Sequence, residues 1–239
     1  MSWRNKLIVA LDVPSGGRAL DIVDRLSEYV GVFKVGFELF VAAGPGIVEE
    51  IQKRNKKVFL DLKFHDIPNT VSRAAVVASR LGVYMFNLHT SGGLEMMRRC
   101  REKVVEVCEK EALTRPKIIG VTALTSLNSE ILKGELAVQH GVRTHVKLLA
   151  ALALRAGLDG VVASPHEIAM IKQECGKGFL VVTPGIRPSW VPPDDQMRTA
   201  TPQQALRNGA DYIVMGRGIL KQEDPLKALD LISLEMLTA

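Results

Sequence analysis

Lys57-Val58-Phe59-Leu60-Asp61-Leu62-Lys63-Phe64-His65-Asp66 carries three consecutive apolar residues after its first lysine and closes on alternating charge. The apolar body reads as a strand buried on both faces, as in a parallel sheet covered by helices. Asp61 and Lys63 are two apart, so strand pleating points both to one face. An apolar strand body with charge at its C-terminal end is what an α/β domain presents where it keeps its chemistry.

Seven further β-branched apolar runs flank this one: Lys6 to Val13, Val30 to Gly36, Tyr84 to Thr90, Pro116 to Leu124, Gly157 to Ser164, Phe179 to Arg187 and Asp211 to Ile219. Helical periodicity fills the intervals, as in Ile22, Val23, Leu26, Tyr29 and Val30, or Val146, Leu148, Leu149, Leu152 and Ala153 with Gly157 as C-cap. Thr201-Pro202 starts a helix that Gly209 ends. Eight β units alternating with helices over 239 residues match an α/β (β/α)₈ barrel. Alternation alone also admits a doubly wound sheet. No linker or low-complexity tract interrupts the pattern, so residues 1–239 are expected to form one catalytic domain.

Composition narrows the class. A charged fraction of 24% and a hydrophobic fraction of 47% exclude wholesale disorder. The net charge of +5 can steer a phosphate ester, a nucleotide or a nucleic acid. Lys and Arg are scattered, however, and aromatics amount to 5%, which argues against a base-stacking platform and against nucleic acid as the partner. No apolar run approaches membrane-spanning length and the start lacks a signal-peptide core, so a soluble, cytoplasmic protein is expected. Cys100, Cys108 and Cys175 form no CxxC pair and read as reduced thiols.

Charged residues recur at the ends of the first three runs: Asp12, Lys34, then Asp61 and Lys63. One strand-end charge is ordinarily solvent-facing. Four of alternating sign on consecutive strands form a compensated network at a barrel mouth, because each buried ion needs an opposite neighbour. The last two runs end in Thr183-Pro184-Gly185-Ile186-Arg187 and Met215-Gly216-Arg217-Gly218. Loops after strands seven and eight are the habitual phosphate site of such barrels, with glycines admitting the anion to backbone N–H groups and arginine gripping it. The long polar stretch from Pro188 through Gln196 to Arg198 reads as a lid over that site. Thr122, Thr125 and Ser126 offer hydroxyls to a planar heterocycle, with Ser126 alternatively a helix cap. Ser91-Gly92-Gly93 reads as an anion nest, as loop geometry or as a subunit contact. The five histidines show no metal-ligand spacing, and GxSxG, Walker A and GxGxxG motifs are absent. No cofactor and no metal is therefore expected, which leaves cofactor-free chemistry on a phosphorylated small molecule.

The run Asp61-Leu-Lys-Phe-His-Asp-Ile-Pro-Asn-Thr70 resembles the signature of the orotidine 5′-phosphate decarboxylase family, in its bacterial branch. The Ala-Leu-Asp12 and Phe-Lys34-Val-Gly strands, Leu-Thr125-Ser126, Pro184-Gly-Ile-Arg187 and Gly216-Arg217 agree, so the resemblance spans essentially the whole chain. It implies a (β/α)₈ homodimer with shared active sites that converts orotidine 5′-phosphate to UMP and CO₂ in de novo pyrimidine biosynthesis without a cofactor. Lys63 would protonate C6, Asp61 would face the substrate carboxylate, and Lys34 would hold Asp61 and a ribose hydroxyl. Asp66, Ile67 and Thr70 would reach the neighbouring subunit's site. Asp12 would bind ribose, Thr125 and Ser126 the pyrimidine edge, and Arg187, Gln196, Gly216 and Arg217 the phosphate side. Gly218 departs from the proline or serine frequent in the family, and the turn is expected to be less stiff for it. The nearest rival is a Mg²⁺-dependent sugar-phosphate decarboxylase with similar AspxLysxxAsp spacing; Ile67-Pro68-Asn69-Thr70 favours orotidylate.

Overall fold

The computed structural model describes residues 5–191 and 199–237. Eight parallel strands close into a barrel in the order β1 to β8, which settles the choice that alternation left open. In chain order the elements are β1 (Leu7–Ala10), α1 (Gly16–Leu26), β2 (Val32–Val35), α2 (Phe37–Ala43), α3 (Gly46–Gln52), β3 (Lys57–Phe64), α4 (Pro68–Arg80), β4 (Met85–His89), α5 (Gly93–Lys110) and β5 (Lys117–Val121). There follow α6 (Ser129–Gly134), α7 (Val142–Arg155), β6 (Gly160–Val162), α8 (Ile168–Cys175), β7 (Leu180–Thr183), α9 (Pro202–Arg207), β8 (Tyr212–Met215), α10 (Arg217–Leu220) and α11 (Pro225–Leu237). Each apolar run thus contains a strand. Strands β1, β5, β7 and β8 each stop three or four residues short of the end of their runs, which leaves those ends to the barrel mouth.

Alternation along each strand builds two cores. Ile8, Ala10, Val32, Phe59, Met85, Ile119, Val182, Tyr212 and Val214 point inward and fill the barrel. Their neighbours Leu7, Val9, Phe33, Val35, Val58, Leu60, Phe86, Leu88, Val161, Val181 and Ile213 point outward against the helices. Val58-Phe59-Leu60 is therefore apolar because it serves both cores. Helix α7 buries Val146, Leu149, Ala150 and Ala153. Leu148, counted above in that face, is 52% exposed, since it lies about 100° around the helix from Leu149. Thr201 and Gln204 start α9 with a capping box, the Thr201 hydroxyl accepting from the Gln204 N–H at 3.2 Å and the Gln204 side chain accepting in return at 3.1 Å. The three cysteines are unpaired, and burial pushes the Cys100 thiol up to about 12.

Strand β6 approaches β7 closely enough to require glycine. A Cβ at Gly160 would stand 2.2 Å from the Leu180 carbonyl oxygen, whereas one at Gly178 would meet nothing within 4 Å. Gly160→Ala is expected to cost about 1–3 kcal/mol by overpacking, and Gly178→Ala to stay within about 0.5 kcal/mol of the parent. Urea unfolding of the two variants side by side checks the contrast.

Candidate active site

The charged side chains at the mouth continue the inward register of the apolar layer beneath them. Lys34 follows Val32 by two residues, Asp61 follows Phe59, Asn87 follows Met85, and Asp12 follows Ala10. Each therefore points into the barrel from its own strand end. Lys34 Nζ stands 2.9 Å from Asp12 Oδ1 and 3.1 Å from Asp61 Oδ2, and Lys63 Nζ stands 2.7 Å from Asp61 Oδ1. The four groups form one chain of alternating sign, two ammonium groups against two carboxylates.

Lys63 reaches Asp61 by a route that pleating does not describe. The pairing of β3 with β4 runs Leu60↔Phe86 and then Phe64↔Leu88, so residues 61–63 stand opposite Asn87 alone. Inside this bulge Lys63 has φ +44°, the left-handed region. Both side chains reach the mouth, as the two-residue spacing implies, although a bulge and not a regular pleat separates them.

Burial sets the electrostatics. Burial alone works to lower the Lys34 pKa, but the Asp61 and Asp12 carboxylates outweigh it and hold the ammonium above its ordinary value. Burial works to raise Asp61, yet Lys34 and Lys63, with a hydrogen bond from Asn87, hold its carboxyl below the usual range. A Cβ at Gly36 would stand 2.9 Å from Lys34 Nζ and 3.2 Å from Asp12 Oδ1, so bare backbone leaves this pair its room.

These groups form one wall of a cavity of about 490 Å³. Asp12, Lys34, Asp61, Lys63, Thr125, Arg187, Gly216 and Arg217 all line it, bringing together eight of the expected site residues. The floor is apolar, from Ala10, Phe59, Val121, Val162, Val182 and Val214. Arg187 is tied in by its N–H to the Ala200 carbonyl at 2.9 Å, which pins together the two ends of the long polar loop. Gln196 and the central part of that expected lid lie outside the described residues. Asp66, Ile67 and Thr70 are exposed and do not line the cavity of their own chain. The Asp66 carboxylate accepts the Ile67 N–H at 2.6 Å.

Four further expectations need correction or completion. Ser126 neither lines the cavity nor caps α6; Asn128 does, accepting the Ile131 N–H at 2.8 Å. The Thr122 hydroxyl donates to the Val162 carbonyl at 2.9 Å and is spent on the sheet. Gly218 sits inside α10, where a Cβ would meet Met215 and Pro188 at an ordinary 3.5 Å, so the turn does not depend on glycine there. Around Ser91 the chain forms a 3-10 turn, and a Cβ at Gly92 would stand 2.2 Å from the Met96 sulfur, which accounts for that glycine by packing. Among the described residues, no group of three or more His, Cys, Asp or Glu side chains is placed to hold a metal ion.

Comparison with known proteins bears on this geometry. The model of the orotidine 5′-phosphate decarboxylase / HUMPS family matches residues 5–232. The chain is 50% identical over 238 residues to the orotidine 5′-phosphate decarboxylase of Moorella thermoacetica, covering 99% of this chain and 94% of that one. It is also 50% identical over 236 residues to that of Syntrophotalea carbinolica, covering 99% and 96%. The chain belongs to the orotidine 5′-phosphate decarboxylase family. As a member it is a carboxy-lyase of pyrimidine biosynthesis. Among solved structures, orotidine 5′-phosphate decarboxylase from Lactobacillus acidophilus matches with TM-score 0.85 and 34% identity over 97% of this chain and 99% of that one. An uncharacterized conserved protein from Geobacillus kaustophilus matches with TM-score 0.84 and 37% identity over 96% and 99%.

Sequence reasoning missed three residues of this candidate site. Lys221 and Gln222, just past α10, line the cavity beside Arg217. Asn87, 1% exposed, donates to Asp61 Oδ1 at 2.7 Å and accepts the Lys63 N–H at 2.8 Å. The available signal was a lone amide within the apolar run Met85-Phe86-Asn87-Leu88.

Lys34→Met leaves Asp61 with one cation of two and is expected to cost about 3 kcal/mol, as for one partner removed from a buried pair. Asp61, held low when folded, contributes stability above its ordinary value of 3.8 that is lost as pH falls through the folded value. Lys34, held high, contributes stability below 10.5 that is lost as pH rises through the folded value. The deficit of Lys34→Met, read by urea unfolding, should therefore be flat between about pH 5 and 9 and shrink on both sides.

Proposed function

We propose that this single barrel domain decarboxylates orotidine 5′-phosphate with its Lys/Asp network as the only chemical machinery, needing no cofactor. The observation that carries the reading is Lys63 Nζ, 2.7 Å from Asp61 Oδ1, at the wall of a cavity that also holds Arg187 and Arg217. Loss of CO₂ leaves an electron pair at C6 with no adjacent carbonyl to delocalise it, so stabilisation must come from fixed charge. Lys63 supplies it: the C6–carboxylate bond breaks, the electron pair stays on C6, and the ammonium proton moves to that carbon. The amine then regains a proton from solvent.

The other side chains divide the remaining work. Asp61 faces the substrate carboxylate and keeps Lys63 aimed, while Lys34 and Asp12 hold ribose hydroxyls. Thr125 meets the pyrimidine edge. Arg187, Gln196, Gly216 and Arg217 grip the phosphate, a group remote from C6 whose binding energy holds the site ordered for the reaction. Asp66, Ile67 and Thr70 act in the site of a second copy, so the enzyme works as a homodimer in the cytoplasm. Their exposure beside the mouth supports this, as does Phe37, 55% exposed with its ring 5.3 Å from Lys63 Nζ.

Lys63→Ala should lower kcat by at least about 10⁴-fold, the upper end of a proton-transfer contribution, while UMP still binds in calorimetric titration. Appreciable turnover by that variant would refute the proton-donor role. Arg217→Ala should lower kcat/KM for orotidylate by about 10²-fold or more while leaving the phosphate-free nucleoside nearly unaffected. Equal losses on the two substrates would contradict the division between gripping and chemistry.

A further inference from the structure

We propose that Asn87 is a positioning residue for the decarboxylation, holding the bulge of β3 that aims Lys63 and fixing the carboxylate to which Lys63 is paired. The proposal rests on the reading of Lys63 as proton donor. Its structural half stands on the bulge alone.

Between the pairings Leu60↔Phe86 and Phe64↔Leu88, three residues of β3 face one of β4, so the ladder has no regular partner for the Lys63 N–H. The Asn87 side-chain carbonyl takes that N–H at 2.8 Å in place of a backbone acceptor. A lysine at φ +44° is strained, and such a conformation persists only where its surroundings determine it. Of the four non-glycine residues with positive φ among the described residues, Lys63 alone lies within a strand.

The other half of the amide acts on charge. Asn87 Nδ2 donates to Asp61 Oδ1 at 2.7 Å, the same oxygen that Lys63 Nζ meets at 2.7 Å. Lys34 takes Oδ2 at 3.1 Å. Asp61 is thereby held by three donors and cannot turn away from Lys63. The amide's orientation is unambiguous: a backbone N–H only donates and a carboxylate only accepts, so carbonyl and NH₂ cannot exchange places. The amide supplies both functions with no proton to gain or lose. An ionised aspartate in its place would accept at both positions and a leucine would serve neither, which makes Asn87→Asp and Asn87→Leu complementary probes.

The test compares parent, Asn87→Leu and Asn87→Asp for kcat, KM, the pH dependence of kcat, and amide exchange of Lys63 by NMR. Asn87→Leu should lose about 10²-fold in kcat, the scale of a small misplacement of the reacting group, with KM within threefold. Asn87→Asp should lose kcat as pH rises through the ionisation of the new carboxyl, a limb the parent lacks, because the protonated acid reproduces the amide's donor and acceptor and the carboxylate, facing Asp61, does not. In Asn87→Leu the Lys63 amide should exchange at least tenfold faster than in the parent, while the Leu60 amide keeps its rate. A cooperatively melting Asn87→Leu with parental kcat, or with kcat and KM changed in equal proportion, overturns the proposal. So does an Asn87→Asp profile superimposable on the parent's, which decides the matter if the leucine variant does not fold. Failure of the parent itself to turn over orotidylate would overturn the functional reading instead, and the amide exchange would still judge the bulge.

Discussion

Asp61 is a carboxylate 8% exposed, and it can remain ionised there only because two ammonium groups and an amide surround it. The rest of the site follows from meeting that condition. Lys34 comes from the strand before it, Asn87 from the strand after it, and Lys63 from its own strand through a bulge. A closed parallel barrel places neighbouring strand ends at one level, which is why groups so distant in sequence can surround a single carboxylate. Lys34 in turn needs Asp12, so the first strand is drawn into the same network.

The cavity separates this charged wall from the arginine-bearing loops after β7 and β8. An apolar floor lies between, and low polarity there strengthens every charge at the wall. The division suits a reaction in which one end of the ligand is gripped and the other changed. It also gives the modest positive charge of the chain a local meaning, since Arg187, Arg217 and Lys221 gather on one side of the cavity.

Much of this was legible in sequence for definite physical reasons. Strand periodicity exposed all eight β units, and charge at an apolar strand's end exposed Asp12, Lys34, Asp61 and Lys63, because neither pattern depends on long-range pairing. Roles that depend on register were not legible. Asn87 acts on residues 24 and 26 positions away through a bulge that no local pattern announces. Ser126 and Asn128 both have side chains suited to capping a helix, and only the position of the α6 turn chooses Asn128. Thr122 looked available to a ligand until the pairing of β5 with β6 placed its hydroxyl against Val162. The family also spans HUMPS proteins, so the pairing of chemistry to substrate rests on the side chains at this mouth.

In the proposed reaction, fixed protein charge alone replaces a cofactor. The direct measurement is the loss of orotidine 5′-phosphate absorbance on purified protein treated with EDTA, with UMP and CO₂ quantified at the end. The account predicts full turnover, one UMP and one CO₂ per orotidylate, unchanged by the chelator and by added Mg²⁺. Turnover that appears only when a divalent metal is restored, or none on orotidylate at all, would contradict it.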